Sequence, residues 1–140
     1  MRKSITQEKP YGCGIACFAF VANISYKGAE EFLGNEQANS DRFILKHFRE
    51  ELNRFGLKYI SKHIKPTETI DPVEDMVVLL RRSKDFPVGH YLAFHDGKWM
   101  DPYINLKDDH AFSNPNSGYR ETLPGQAMYA LIPSTSVPKF

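Results

Sequence analysis

Only two cysteines, Cys13 and Cys17, occur among the 140 residues, too few for a disulfide-stapled scaffold, and four apart on one helix face they are poorly oriented to bridge each other. A chain of this length buries about two-thirds of its unfolded surface without staples, so both thiols are expected to be free. No apolar run approaches the roughly 20 residues that span a bilayer. Met1-Arg2-Lys3-Ser4 leads into polar Thr6-Gln7-Glu8-Lys9 rather than an apolar signal core. The expectation is a cytoplasmic protein, or one exported without a recognisable signal peptide. Charge of one sign is missing too: 18 Lys and Arg stand against 17 Asp and Glu, so no net field points to nucleic acid or an anionic membrane surface. Repeats and low-complexity tracts are absent, and residues 1–132 read as one domain followed by a tail over 133–140.

What is present is a helical half followed by a β half. From Cys13 to Ile24 apolar residues are nearly continuous, which predicts a central helix buried on most sides. A short helix over Lys27–Leu33 should stop at Gly34, and Ser40 should cap a longer one carrying Ile44, Leu45, Phe48, Leu52 and Phe55 before Gly56. Leu57–Ile64 alternates as a strand. Asp71-Pro72-Val73-Glu74 presents a cap, a first-turn proline and an acid three residues after the cap, predicting a helix to about Arg82. VGHYLAFH, Asp96-Gly97 and KWMDPY form a hairpin with a two-residue turn, and Gln126–Ile132 supplies another strand. Residues 104–125, centred on Asn114-Pro115-Asn116-Ser117-Gly118, are expected to be a long surface loop or a lid. Helices first and strands last imply an α+β fold with an antiparallel sheet against the central helix.

The chemistry concentrates where QEKPYGCGIACFAF enters the central helix. A thiol at a helix N-terminus near an imidazolium is drawn toward the thiolate, the form that attacks. Cys13 occupies that position, and Gly12 and Gly14 add no side chain to shield it. Cys17, one turn deeper among Phe18, Phe20 and Val21, reads as a small packing hydrophobe. Of the five histidines, hairpin register selects His90. With Asp96-Gly97 as the turn, His95 faces Lys98, Leu92 faces Asp101 and His90 faces Tyr103, so His90 and Asp101 are diagonal neighbours on one sheet face. A carboxylate there holds the imidazole tautomer and stabilises its cation. His95 falls on the other face beside the turn and should be solvated, while His47 lies on the polar side of its helix and His63 and His110 have no acid placed to orient them, so these three are expected at the surface. Gln7 precedes the cysteine by a short loop, from which its amide can donate to an oxyanion alongside the Cys13 N–H.

Gln7, then Cys13-Gly14-Ile15-Ala16-Cys17, then Gly89-His90-Tyr91, then Asp101-Pro102 stand in an order that resembles the papain-like, bacteriocin-processing cysteine peptidases, which remove double-glycine leaders and form family thirty-nine of the cysteine class. The resemblance spans about residues 7 to 103. It implies a papain-like fold with Cys13 as nucleophile, His90 as base, Asp101 as its orienter and Gln7 as oxyanion donor, with a peptide or protein as substrate. The chain departs from that pattern in having Gly12 where an Asp usually precedes the cysteine and in a short hairpin between His90 and Asp101, and it is expected to be a stand-alone domain with no transporter domain following. A separate transporter or target protein is the corresponding partner. Two other readings use the same residues: a catalytically silent module that binds a peptide in the same cleft, and an effector or toxin performing deamidation or related amide chemistry. A metal site built from Cys13, Cys17 and His90 is disfavoured, because Asp101 accounts for the histidine and the short ligand patterns of zinc are missing, so no cofactor is expected.

Overall fold

A computed structural model of the chain describes residues 1–34, 45–109 and 111–134. Among the described residues three helices come first: α1 (Cys13–Ala22), α2 (Tyr26–Leu33) and α3 (Leu45–Phe55). Six strands follow: β1 (Tyr59–His63), β2 (Val77–Leu80), β3 (His90–His95), β4 (Lys98–Asp101), β5 (Gly118–Arg120) and β6 (Ala127–Pro133). They make one antiparallel sheet in the order β1-β6-β2-β3-β4-β5. This is the expected α+β arrangement, with α1 packed on β3.

The central helix is buried from Gly14 through Val21. It ends where Asn23 turns left-handed, φ 59°, and its N–H caps the carbonyls of Ala19 and Phe20. Ser25 opens α2 by accepting from the Gly28 N–H. Ser40 and Ile44, expected to begin the next helix, lie outside the described residues, as does His110. Phe48 and Leu52 of α3 are fully buried. No helix among the described residues is long and apolar enough to cross a membrane.

Two apolar layers sandwich the sheet. Ile15, Phe18, Phe48, Val77, Tyr91 and Met100 pack on the helical side, while Ile64, Val78, Leu80, Phe86, Leu92 and Trp99 fill the other. This corrects the expectation of a helix over residues 71–82. Val77–Leu80 is a central strand bonded to β3 and β6, apolar on both faces, and such a run carries no alternation to separate it from a buried helix. The upstream cap signals serve a turn instead. Asp75 is left-handed at φ 65°, and Glu74 accepts from the Asp96 N–H at 2.9 Å rather than closing a capping box.

The hairpin forms as read, with His95 opposite Lys98 and left-handed Asp96 and Gly97 making its turn, φ 51° and 81°. The expected loop over 104–125 is more ordered than its composition suggests. It contains a 3-10 turn at Leu106–Asp108, and β5 pairs with β4. The Asp109 carboxylate accepts from Tyr103 Oη, the Ser113 N–H and hydroxyl, and the Asn114 N–H, while the Asn105 amide brackets Asn114 and Asn116. β6 runs through Pro133, one residue into the stretch expected to be tail, and residues 135–140 lie outside the described region.

Candidate active site

α1 begins at Cys13 without a side-chain cap, so its first-turn N–H groups find no acceptor within the helix and point, with the positive end of the dipole, toward the thiol's surroundings. Cys13 is partly exposed and Cys17 fully buried. Burial pushes the Cys17 thiol well above its ordinary range, helped by the negative charge of its neighbours, which suits packing rather than chemistry. Gly12 is required by more than access. A Cβ there would collide with the Tyr26 hydroxyl and crowd the Lys9 carbonyl, so a side chain before the cysteine would have to push Tyr26 aside.

His90 opens β3 directly after Gly89, whose φ of 82° and closeness to the Leu80 carbonyl and the Leu79 side chain exclude a larger residue. The turn so made delivers the imidazole, only 3 % exposed, to the end of the sheet beside the N-terminus of α1. Its Nε2 lies 2.6 Å from Asp101 Oδ1, and the ring lines the same cleft as Cys13, which acts on it electrostatically. Phe86 stacks on the ring at 5.0 Å and 11°.

Asp101 is fully buried and every oxygen is used. Oδ1 also accepts from the Tyr103 N–H at 2.9 Å, and Oδ2 accepts from Arg120 Nε at 2.6 Å. Burial alone would push this carboxyl up, but the hydrogen bond and charge of His90, with Arg120 and the Tyr103 N–H, hold it below its ordinary 3.8. Burial likewise pushes the His90 imidazole down. The interactions with Asp101 and Cys13 outweigh it and raise the ring from 6.5 to about 9. The arrangement keeps a proton on His90 beside the thiol at neutral pH, which is the condition for a thiolate–imidazolium pair.

Gln7 is 2 % exposed and held by its N–H to the Pro102 carbonyl at 3.1 Å, immediately after Asp101. Its amide Nε2 donates to the carbonyls of Lys9 at 3.0 Å and Pro10 at 3.2 Å, and its buried Oε1 has no partner. A cleft of about 410 Å³ joins these parts, lined by Gln7, Tyr11, Cys13, Phe86, His90 and Tyr103 among others. All four residues singled out in the sequence therefore meet at one end of the sheet.

No family model matches the chain, and no curated protein does. Solved structures do. The peptidase domain of Streptococcus ComA, a bi-functional ABC transporter involved in a quorum-sensing pathway, superposes with a TM-score of 0.56 at 18 % identity, over 93 % of this chain and 97 % of that one. A double-glycine motif protease from an AMS/PCAT transporter, in complex with its leader peptide, gives 0.56 at 14 % identity over 94 % and 91 %. The Streptococcus mutans ComA peptidase domain gives 0.53 at 16 % over 94 % and 98 %. The chain has the papain-like fold of these peptidase domains. The likeness runs over nearly its full length.

Three contributors to the site have no signal in the sequence pattern. Phe86 precedes a proline in an irregular stretch, Tyr103 follows the strand that bears Asp101, and Arg120 sits in the segment expected to be loop. A tract of arginine, aromatic and carboxylate within one sheet end could have been found only by pairing β5 with β4. Its three residues give too little alternation for that. The other histidines separate as follows. His63 is exposed against Tyr129, and His47 is half-buried on α3. His95, expected to be solvated, is instead fastened: Nε2 accepts from the Arg2 N–H at 2.8 Å, Nδ1 bonds Glu74, and the ring packs on Phe20 and Tyr119. Arg2 and Phe20 reach that ring across the helix–sheet seam, a contact between distant segments that turn position does not reveal.

Proposed function

We propose that the protein is a cysteine peptidase-like hydrolase that opens a peptide or related amide bond through an acyl-enzyme. The observation that carries this reading is the buried imidazole of His90 held between Asp101 and Cys13 at the mouth of a cleft. The Cys13 thiolate adds to the carbonyl carbon, forming a C–S bond while the carbonyl π electrons move to oxygen. The Cys13 N–H and the Gln7 amide stabilise that oxyanion, for which the amide turns one hydrogen away from Lys9 O or Pro10 O. His90 protonates the leaving amine as the C–N bond breaks, then takes a proton from water as it attacks the thioester. Asp101 fixes the ring and its charge throughout.

The substrate class follows by analogy with the leader-bound protease of the same fold: a peptide segment ending in two small residues, supplied by a separate protein or exporter. Selective alkylation of Cys13 over Cys17 by iodoacetamide at pH 6, mapped by mass spectrometry, tests the nucleophile. Cleavage of a panel of double-glycine peptides, read by the mass of the products, tests the reaction. Equal labelling of the two thiols would remove the nucleophile assignment.

A silent peptide-binding module draws on one observation, that both Gln7 amide hydrogens are engaged by backbone carbonyls. It expects peptide binding with no turnover. Deamidation by the same thiolate would release ammonia without a change in chain length, which the mass measurement distinguishes.

A further inference from the structure

The carboxylate that faces His90 has a second partner. Arg120 sits on β5 opposite Trp99, on the same sheet face as Asp101 and diagonal to it. Its Nε–H donates to Asp101 Oδ2 at 2.6 Å, the oxygen that His90 does not use, and its Nη2–H donates to the Ile104 carbonyl at 3.1 Å. One guanidinium thus binds the carboxylate and the backbone just beyond β4. Because one planar guanidinium holds both acceptors, it ties Oδ2 to the backbone at Ile104 in a geometry that a point charge does not impose. Its side chain is 28 % exposed whereas Asp101 is fully buried, so the cation plugs the solvent side of the carboxylate.

Resting on the hydrolase reading above, we infer that Arg120 is a positioning residue of the active site: it orients Asp101 toward His90 and moderates the pull of that carboxylate on the imidazolium. The groups that bear on the imidazole are Asp101 on β4 and Cys13 at the start of α1, with the buried Cys17 one turn deeper, while Tyr91 and Tyr103 line the same cleft. Arg120 adds a positive charge behind Asp101. Two cations sharing one buried carboxylate each weaken its hold on the other. Without Arg120, Asp101 remains bonded to His90 and the Tyr103 N–H, and its charge acts on the imidazolium alone.

The test compares the parent with Arg120→Gln and Arg120→Lys. The His90 ring is titrated by NMR, with His90→Ala assigning its signal, alongside alkylation of Cys13 and thermal denaturation. Arg120→Gln is expected to raise the His90 midpoint by about one pH unit, the effect of removing one charge a few ångströms beyond the partner at an effective dielectric near 20. Arg120→Lys, keeping the charge without the fork, should fall between the two. A purely structural arginine would lower the melting temperature and leave the midpoint where it is, and that result overturns the inference. Should Arg120→Gln fail to fold, Arg120→Ala is titrated in its place, and a midpoint at the parent value overturns the inference equally. Unselective alkylation in the parent would instead strike the hydrolase reading itself, since that measurement involves no change at Arg120.

Discussion

β3 carries a histidine at each end, and each is bonded to a carboxylate with an arginine close by. At one end stand His90, Asp101 and Arg120; at the other His95, Glu74 and Arg2. The inventories match but the environments do not. His90 and Asp101 are almost wholly removed from water, whereas half of the Glu74 side chain is solvent-exposed. In the buried set, each ion is held by two or more directed partners, and the imidazole faces a thiol across a cleft. In the exposed set, Arg2 spreads its guanidinium over Phe20 and bonds the Phe20 carbonyl, Glu74 and Asp75, while the Arg2 N–H occupies the histidine nitrogen that would have to move a proton. Imidazole, carboxylate and guanidinium make a buried cluster beside a thiol in one place and a clamp for the N-terminal segment in the other. Burial and the neighbouring thiol separate them.

The largest expected effect sets the two ends directly against each other. His90→Ala should reduce turnover of any cleaved peptide by about 10⁶-fold, as removal of the base does where nucleophile and base act as a unit. His95→Ala should leave turnover near the parent value and lower the melting temperature by a few degrees, about what loss of one or two hydrogen bonds costs. Steady-state assays and thermal scans on the same preparations check both. A larger turnover loss at His95 would erase the distinction drawn here.

Asp101→Asn should follow, with a fall between about 10² and 10⁴, because the amide cannot accept from Arg120, Tyr103 and His90 at once and the ring loses its fixed tautomer. Gln7→Ala should cost about 10²–10³ in turnover while the alkylation rate of Cys13 stays within a factor of two or so, since alkylation develops no charge on a carbonyl oxygen. A variant in which stability and both rates drop together would make Gln7 structural.

The smallest effect is on stability against pH. His90 is raised from 6.5 to about 9 in the fold, so its protonated form contributes stability that is full below about 6.5 and is lost as pH rises through about 9. Asp101 is shifted down, so its contribution is present above its ordinary 3.8 and is lost as pH falls below that. Denaturant titrations from pH 6 to 10 should show a decline in the parent that is blunted in His90→Ala. His95→Ala should retain the full decline.

Much of the site could be read directly. The Asp96-Gly97 turn settles register, register settles that His90 and Asp101 share a face, and two glycines around Cys13 mark a helix start under constraint. These are local signals, in which a turn type or a spacing decides the geometry. Val77–Leu80 was misleading because a strand covered on both faces lacks the period-two pattern, and Asp71-Pro72-Val73-Glu74 imitates a helix start with residues that make a turn. Arg120 and the fastening of His95 were hidden for another reason: each depends on segments distant in the chain meeting at a sheet edge, and nothing in the spacing of residues 104–125 reports that β5 returns to β4.

The fit of the Tyr26 hydroxyl over Gly12 links two positions on different helices into one unit of change. A side chain before the cysteine has to displace the Tyr26 hydroxyl and press on the Lys9 carbonyl. Gly12→Asp should therefore lower the melting temperature more in the parent than in a Tyr26→Ala background. The two positions change together more easily than position 12 changes alone.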